Sequence, residues 1–300
     1  MKYYTLNTQF SYMTDDTLTE ILNNSKEGKT QGYGLNVKIT VSDIKIFTKS
    51  IPVTQIEYDN QYNGKNLHSL PYVYNFGIGS AGFNVNRELL MHIKTTNWVL
   101  SDQIENFPLL YHWRIIKNKD YSKNYSLSKE DEERIQKRYK YWNSNDNIKK
   151  YLLERLNPPY ILILCLEYIP YVLGEWLNDD PNKITLYMNQ MMKTINFLKY
   201  NNIIHFDAHP YNILTDGKTM YLTDFGLVLD KQYLSEKEEL EFFNNNNYID
   251  YGYIISNLFE YMFDKIFADK YFPYFEEKYG IKKGTHNFES NTQIINKNLK

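Results

Sequence analysis

Cys165 is the only cysteine in the 300 residues, so no intrachain disulfide can form and the fold must rest on its core. It sits in the apolar run Tyr160-Ile161-Leu162-Ile163-Leu164-Cys165-Leu166, the setting of a small core residue. No apolar run approaches the roughly 20 residues needed to span a bilayer, and no membrane association is expected. The first residues, Met1-Lys2-Tyr3-Tyr4-Thr5, lack the apolar stretch of a secretory signal, which makes a reducing cytoplasm the expected compartment. An excess of one charge sign is also missing. The formal net charge of −2 argues against a nucleic-acid-binding surface over the whole protein, though a local basic patch would escape this count. No internal repeat is found. What is present is a hydrophobic content of 42%, enough for a sizeable core and against wholesale disorder. The length suits one large domain or two lobes around a cleft.

Periodicity divides the chain coarsely. A helix is predicted over Asp15–Leu22, opened by Thr14-Asp15-Asp16 and closed by Asn23-Asn24. Alternating apolar and polar residues predict strands at Leu35–Val41 and Ile44–Lys49, joined by a turn at Ser42-Asp43. Residues 59–67 read as a polar loop, and Gly77–Gly82 as a glycine-rich approach to a helix over about Asn86–Thr95. Residues 117–151 carry dense charge of both signs and predict an exposed helical insertion. A strand is expected at 160–168, a helix at 183–199, a poorly packing polar tract at Asn244–Asn247, and an apolar helix at Tyr248–Phe263.

The most informative stretch is His205-Phe206-Asp207-Ala208-His209-Pro210-Tyr211-Asn212, with Asp224-Phe225-Gly226 beginning twelve residues after Asn212. Ile213-Leu214 and Met220-Tyr221-Leu222 flank an Asp216-Gly217 turn and read as a hairpin. Such a hairpin brings three groups to one side of a cleft: a carboxylate to meet an attacking hydroxyl, and an amide and a second carboxylate to hold magnesium. Asp207 is the candidate catalytic base, with Asn212 and Asp224 as the metal ligands. His205 is expected to brace the loop. For His209, a phosphate contact and a structural role both remain open. The bland alternative for Asp207 and Asp224 is that of ordinary turn aspartates.

Lys49 ends Ile46-Phe47-Thr48-Lys49, a run similar to the Val-Ala-Ile-Lys strand of kinases, and is the candidate phosphate anchor. Lys45, on the same strand and of the same parity, is the runner-up. Glu88 is the expected helical partner of Lys49, with Arg87 as a possible competitor for the local ion pair. Gly32 and Gly34 are candidates to drape backbone over nucleotide phosphates, although no third glycine completes the longer loop. Leu166, Glu167 and Tyr168 occupy the position of an adenine-gripping hinge. Asp250, ahead of Tyr251-Gly252, is either an anchor beneath the catalytic loop or a helix N-cap.

At these residues the chain resembles the eukaryotic-like (Hanks-type) protein kinase superfamily from about Gly32 to Phe263. Three segments, Phe47-Thr48-Lys49-Ser50-Ile51-Pro52, Gly79-Ser80-Ala81-Gly82-Phe83 and Asn106–Trp113, further resemble compact bacterial kinase-like proteins. The resemblance implies an α+β, bilobal fold, with an N-lobe of antiparallel sheet plus helix and a mostly helical C-lobe. The N-lobe is placed at 1–168 and the C-lobe at 169–300. It implies ATP and Mg²⁺ as cofactors, and transfer of the γ-phosphate to a Ser/Thr hydroxyl of a protein. Two departures stand out. No Ala-Pro-Glu follows Asp-Phe-Gly, and only residues 227–249 separate Gly226 from Asp250, so activation-loop phosphorylation is not expected. The Asp-x-His-Pro-x-Asn loop also resembles aminoglycoside and choline phosphotransferases, which keeps a small-molecule hydroxyl acceptor as the alternative. Nucleotidyl transfer and a non-catalytic binding module are the remaining readings.

Overall fold

The computed structural model describes residues 2–25, 28–31, 34–75, 84–177 and 181–262, together with Glu277. Gly32, the Gly77–Gly82 segment, Phe83 and Phe263 lie outside the described residues.

The chain opens with helices α1 (Lys2–Tyr12) and α2 (Asp15–Asn23). Strands β1 (Gly28–Gln31), β2 (Gly34–Val41) and β3 (Ile44–Val53) follow, then short helices α3 (Gln55–Asp59) and α4 (Tyr72–Asn75), the long helix α5 (Val85–Leu100) and strand β4 (Leu110–Lys117). Helices α6 (Lys129–Tyr141) and α7 (Asp146–Leu156) precede β5 (Tyr160–Glu167). The second half contains β6 (Tyr171–Val172), α8 (Leu173–Trp176), α9 (Pro181–Tyr200), β7 (Ile203–Ile204), β8 (Ile213–Thr215), β9 (Met220–Leu222), β10 (Leu229–Asp230), α10 (Lys237–Asn246) and α11 (Ile249–Met262). The architecture is α+β and bilobal, a sheet lobe followed by a helical one.

The sheet lobe is antiparallel, in the order β1-β2-β3-β5-β4. Strand alternation gives it two apolar faces. Ile46 of β3 faces outward with Val37, Ile39, Ile163 and Cys165, and helices α1 and α2 cover that face through Leu6, Phe10 and Leu18. Arg114 ties the cover down by donating to the carbonyl of Phe10 at 2.9 Å and to that of Met13. Burial pushes the Cys165 thiol up to about 12, the behaviour of an inert core residue. On the inner face, Ile51, Val53, Leu162, Leu164 and Leu166 pack against Val85 and Leu89 of α5.

Local chemistry sets the helix starts. Thr14 caps α2 by accepting from the N–H of Thr17, and Asn84 caps α5 by accepting from Asn86 and Arg87. Helix α5 extends five residues past the predicted Thr95, because Met91 and the partly buried Trp98 and Val99 join the core of the second lobe. The tract Asn244–Asn247 also differs from expectation: residues through Asn246 form the last turns of α10, which Phe243 pins to Ile204, Phe206 and Leu229. Asn244 and Asn245 are exposed on that helix. The helical lobe is built on α9 and α11, whose Tyr187, Met191, Ile195 and Ile254 enclose Leu173, Leu222 and Phe225.

Candidate active site

Strand β3 and helix α5 converge on the hairpin β8–β9. That hairpin forms as its turn chemistry requires: Gly217 takes φ +94°, and Asp216 Oδ1 accepts the N–H groups of Lys218 and Thr219, both at 2.8 Å. The two strands pair Ile213 with Leu222 and Thr215 with Met220. A bond from Thr223 N–H to the carbonyl of Asn212, 3.0 Å, holds the two functional segments side by side.

Lys49 is the electrostatic centre. Its Nζ lies 2.6 Å from Glu88 Oε1 and 3.0 Å from Asp224 Oδ1, joining sheet, helix and Asp-Phe-Gly turn. Burial is the largest influence on the ammonium and favours its neutral form. The adjacent Asp224 and Glu88 carboxylates outweigh it and hold Lys49 charged, above its ordinary value. Burial likewise acts to raise Asp224, yet the charge and hydrogen bond of Lys49 bring that carboxyl below its usual range. Lys45 goes elsewhere, its Nζ 5.8 Å from the Tyr168 ring centroid. Arg87 does not compete for Lys49's partners either. It donates to the carbonyls of Asn75 (2.9 Å) and Val228 (3.3 Å), tying α5 to the chain beyond Gly226.

Asp207 Oδ2 accepts from Asn212 Nδ2 at 2.9 Å, and the same nitrogen donates to the Asp207 carbonyl at 2.9 Å. That orientation leaves the Asn212 amide oxygen available. His209 Nε2 stands 3.6 Å from Asp207 Oδ1, while its Nδ1 accepts from the N–H of Tyr211 at 3.2 Å. Burial, then the nearby Asp224 charge, raise the Asp207 carboxyl against the opposing pull of His209, Asn212 and Lys49. A raised carboxyl is a better proton acceptor than a surface aspartate.

His205 braces the loop from within. Its Nδ1 accepts from the Asp207 N–H at 3.2 Å, and its Nε2 lies 3.1 Å from the Thr223 carbonyl. Burial lowers its imidazole to about 4, so it is neutral at physiological pH. Asp250 plays the anchoring part: its two carboxylate oxygens accept the N–H groups of His205 and Phe206 at 2.7 and 2.9 Å. Phe206 holds φ +65° and Asp224 φ +66°, left-handed conformations that side chains other than glycine rarely adopt. Strain of this kind persists only where the surroundings impose it, and for Phe206 Asp250 does so.

Two features escaped the sequence reading. Rings of His205, Phe225 and His92 form a column across the lobes, with centroid spacings of 5.4 and 4.7 Å. His92 lies one helical turn after Glu88 on α5, and only that i, i+4 relation hinted at its place. The second is Phe206, at the position where the kinase catalytic loop carries arginine. Here it stacks on Phe242 at 5.8 Å, so the loop is backed by apolar packing.

At the hinge position, Glu167 N–H donates to the Leu109 carbonyl at 2.8 Å, and its carboxylate lies 3.8 Å from Lys2 of α1. Gly34 begins β2 and pairs with Gln31 of β1, two residues before Asn36, which pairs with Lys49.

Comparison with known proteins finds similarity to protein kinases over part of the chain. The family model described as protein kinase domain matches residues 113–253. The chain is 38% identical over 88 residues to mitogen-activated protein kinase kinase kinase A of Dictyostelium discoideum, covering 27% of this chain and 9% of that protein. It is 32% identical over 69 residues to cyclin-dependent kinase C-3 of Oryza sativa subsp. japonica, covering 22% of this chain and 21% of that protein. The chain therefore spans only a small part of these relatives. The crystal structure of the BubR1 kinase domain aligns with a TM-score of 0.40 and 13% identity, over 71% of this chain and 48% of that one. The antiparallel sheet lobe followed by a helical lobe resembles the arrangement of a protein kinase domain. The region that the family model matches is a little under half of the chain, and over it the chain is similar to the protein kinase domain family.

The donor set suits a hard divalent ion. Asp224 offers a carboxylate and Asn212 an amide oxygen, the ligand types magnesium takes alongside phosphates and water. Among the described residues no group of three or more His, Cys, Asp or Glu is placed to hold a metal ion.

Proposed function

We propose that the protein is a kinase that moves the γ-phosphoryl group of ATP to a serine or threonine hydroxyl of a protein substrate. The observation that carries this reading is the simultaneous contact of Lys49 with Glu88 and Asp224, beside a loop in which Asn212 orients Asp207. The lobe boundary falls at residues 168–169, with Leu166, Glu167 and Tyr168 as the hinge for the base. Gly32 and Gly34 are assigned to the phosphates. Lys49, fixed by Glu88, aligns the α- and β-phosphates. Asn212 and Asp224 hold Mg²⁺, which when bound neutralises charge on the phosphates. Asp207 orients the acceptor hydroxyl and takes its proton. The new bond joins that oxygen to the γ-phosphorus, the bond to the β-phosphate oxygen breaks, and ADP leaves. Among the described residues no helix is long and apolar enough to cross a membrane, and the proposed compartment is the cytoplasm.

His209 supports the second reading. Its Nε2 faces Asp207 in an Asp-x-His-Pro-x-Asn loop, the arrangement that resembles small-molecule phosphotransferases.

The test incubates the full chain with γ-labelled ATP and Mg²⁺, with and without a cell lysate, beside Asp207→Ala. Label on protein with the wild type alone supports the first reading. Label only on small products supports the second. Equal labelling by Asp207→Ala would overturn the base assignment.

A further inference from the structure

Helix α5 carries Glu88, so whatever fixes the start of α5 fixes the distance from Glu88 to Lys49. Among the described contacts, that start is held from behind by a buried ion pair remote from the cleft. Glu57 of α3 belongs to a capping box, its Oε2 accepting the Thr54 N–H at 3.0 Å and the Thr54 hydroxyl at 2.9 Å. Its other oxygen, Oε1, accepts the N–H of Val85, the first residue of α5, at 3.4 Å and pairs with Arg155 Nη2. Both charged side chains are fully buried. Asn86 adds a second tie, donating to the carbonyls of Glu57 (3.3 Å) and Asn60 (3.1 Å).

Arg155 lies near the end of α7, in the charged helical excursion between β4 and β5. Its Nη1 donates to the carbonyl of Pro52 on β3, three residues beyond Lys49. One planar guanidinium thus grips the strand that carries Lys49 and, through Glu57, the helix that carries Glu88. A buried ion pair adds little net stability over apolar residues of similar volume. What the fork does supply is a fixed distance between the two elements. Helix α7 is itself seated in a separate small core of Leu70, Tyr74, Ile135, Ile148, Tyr151 and Leu152, so the clamp has its own rigid base.

We infer that Arg155 and Glu57 are positioning residues for phosphoryl transfer, and that the excursion helices serve to set α5 so that Glu88 meets Lys49. The inference rests on the proposed roles of Lys49 and Glu88. It assigns the 117–151 charged segment and its continuation a task inside the molecule.

The experiment uses Arg155→Met, Arg155→Lys and Glu57→Gln in the full chain, assayed well below each melting temperature. For Arg155→Met, kcat per folded molecule should fall about thirtyfold, with KM for ATP within about threefold, since a misplacement of about 1 Å at the reacting groups costs up to roughly a hundredfold. Arg155→Lys, which keeps the charge facing Glu57, should recover about tenfold of that loss on the same scale. In a parallel measurement, amide hydrogen exchange over residues 85–89 should quicken by about tenfold in Arg155→Met and Glu57→Gln relative to α9. A merely structural pair would lower the melting temperature while leaving kcat per folded molecule and that exchange pattern unchanged, and this result would overturn the inference. If Arg155→Met does not fold, Glu57→Gln, which keeps the side-chain shape, supplies both readouts. Absence of phosphotransfer by the wild type would sink the proposed function instead, and the exchange measurement would then decide the clamp by itself.

Discussion

Asp250→Asn is the most incisive single substitution at the proposed catalytic loop. The wild-type carboxyl is 4% exposed and sits beneath His205 and Phe206, accepting one backbone N–H on each oxygen. Burial is the main reason its pKa rises to about 6, with Asp207 adding to the shift and the two N–H bonds opposing it. Ionising a group raised this far costs about 3 kcal/mol of folded-state stability by linkage. The sign follows from the raised folded pKa. The favourable contribution of the protonated group is fully present below about pH 4. It is lost as the pH rises through about 6. Asparagine has nearly the same shape and does not titrate. The stability of the wild type relative to Asp250→Asn should therefore decline by about 3 kcal/mol between about pH 4 and pH 7, measured by urea unfolding at a series of pH values. Asparagine also turns an N–H₂ toward one of the two loop amides, leaving a buried donor without an acceptor. The left-handed Phe206 then loses one of its restraints, and kcat should fall by about ten- to a hundredfold. A stability difference that stays flat across that pH range would refute the buried, raised carboxylate. Unchanged kcat would refute its role in shaping the loop.

Four further outcomes are expected. Lys49→Met leaves the fully buried Glu88 without its cation and should destabilise the protein by about 3 kcal/mol while abolishing transfer; calorimetry beside the labelled-ATP assay checks both. Asp224→Ala should remove the Mg²⁺ dependence of nucleotide affinity, measured by titration with and without the ion, and wild-type Mg·ATP affinity would end its assignment as a ligand. His92 is buried and among the described residues neither ring nitrogen makes a hydrogen bond, Nε2 standing 3.8 Å from Glu88 Oε1, so His92→Leu should raise stability by about 1 kcal/mol with activity within about threefold. Phe10 is fully buried on the outer sheet face, and Phe10→Ala should cost about 3–5 kcal/mol in unfolding experiments while leaving nucleotide affinity of the folded protein unchanged.

Features legible from the sequence are those whose cause is local. The hairpin around Asp216-Gly217, the cap at Thr14 and the alternation along β3 arise from residues within a few positions of one another, where turn chemistry and side-chain period decide the backbone. Asp207 and Asn212 are five apart on one loop, and that spacing alone brings amide to carboxylate. The extent of α5 was not legible, because its last residues are held by the core of the second lobe rather than by their own pattern. Nor was the helical state of the 244–246 tract, which follows from Phe243 docking beneath it.

The choice between Lys45 and Lys49 shows the same division. Both lie on one strand with one parity, so sequence offered them as alternatives. The tertiary structure separates them, because α5 and the Asp-Phe-Gly turn cross β3 at Lys49, while Lys45 ends beside Tyr168. Asp250 was readable as either a cap or an anchor until the loop was seen folded over it, 45 residues earlier in the chain. Arg155 and Glu57 are 98 residues apart, and nothing in their neighbourhoods marks either as a partner. The sequence by itself therefore determined the conformation of the candidate catalytic loop, of the Asp-Phe-Gly turn and of the sheet-forming segments, since short-range sterics and hydrogen bonding suffice for them. Only the tertiary structure decided which distant charges meet, because burying an ionic group demands a partner whose identity depends on how the lobes close.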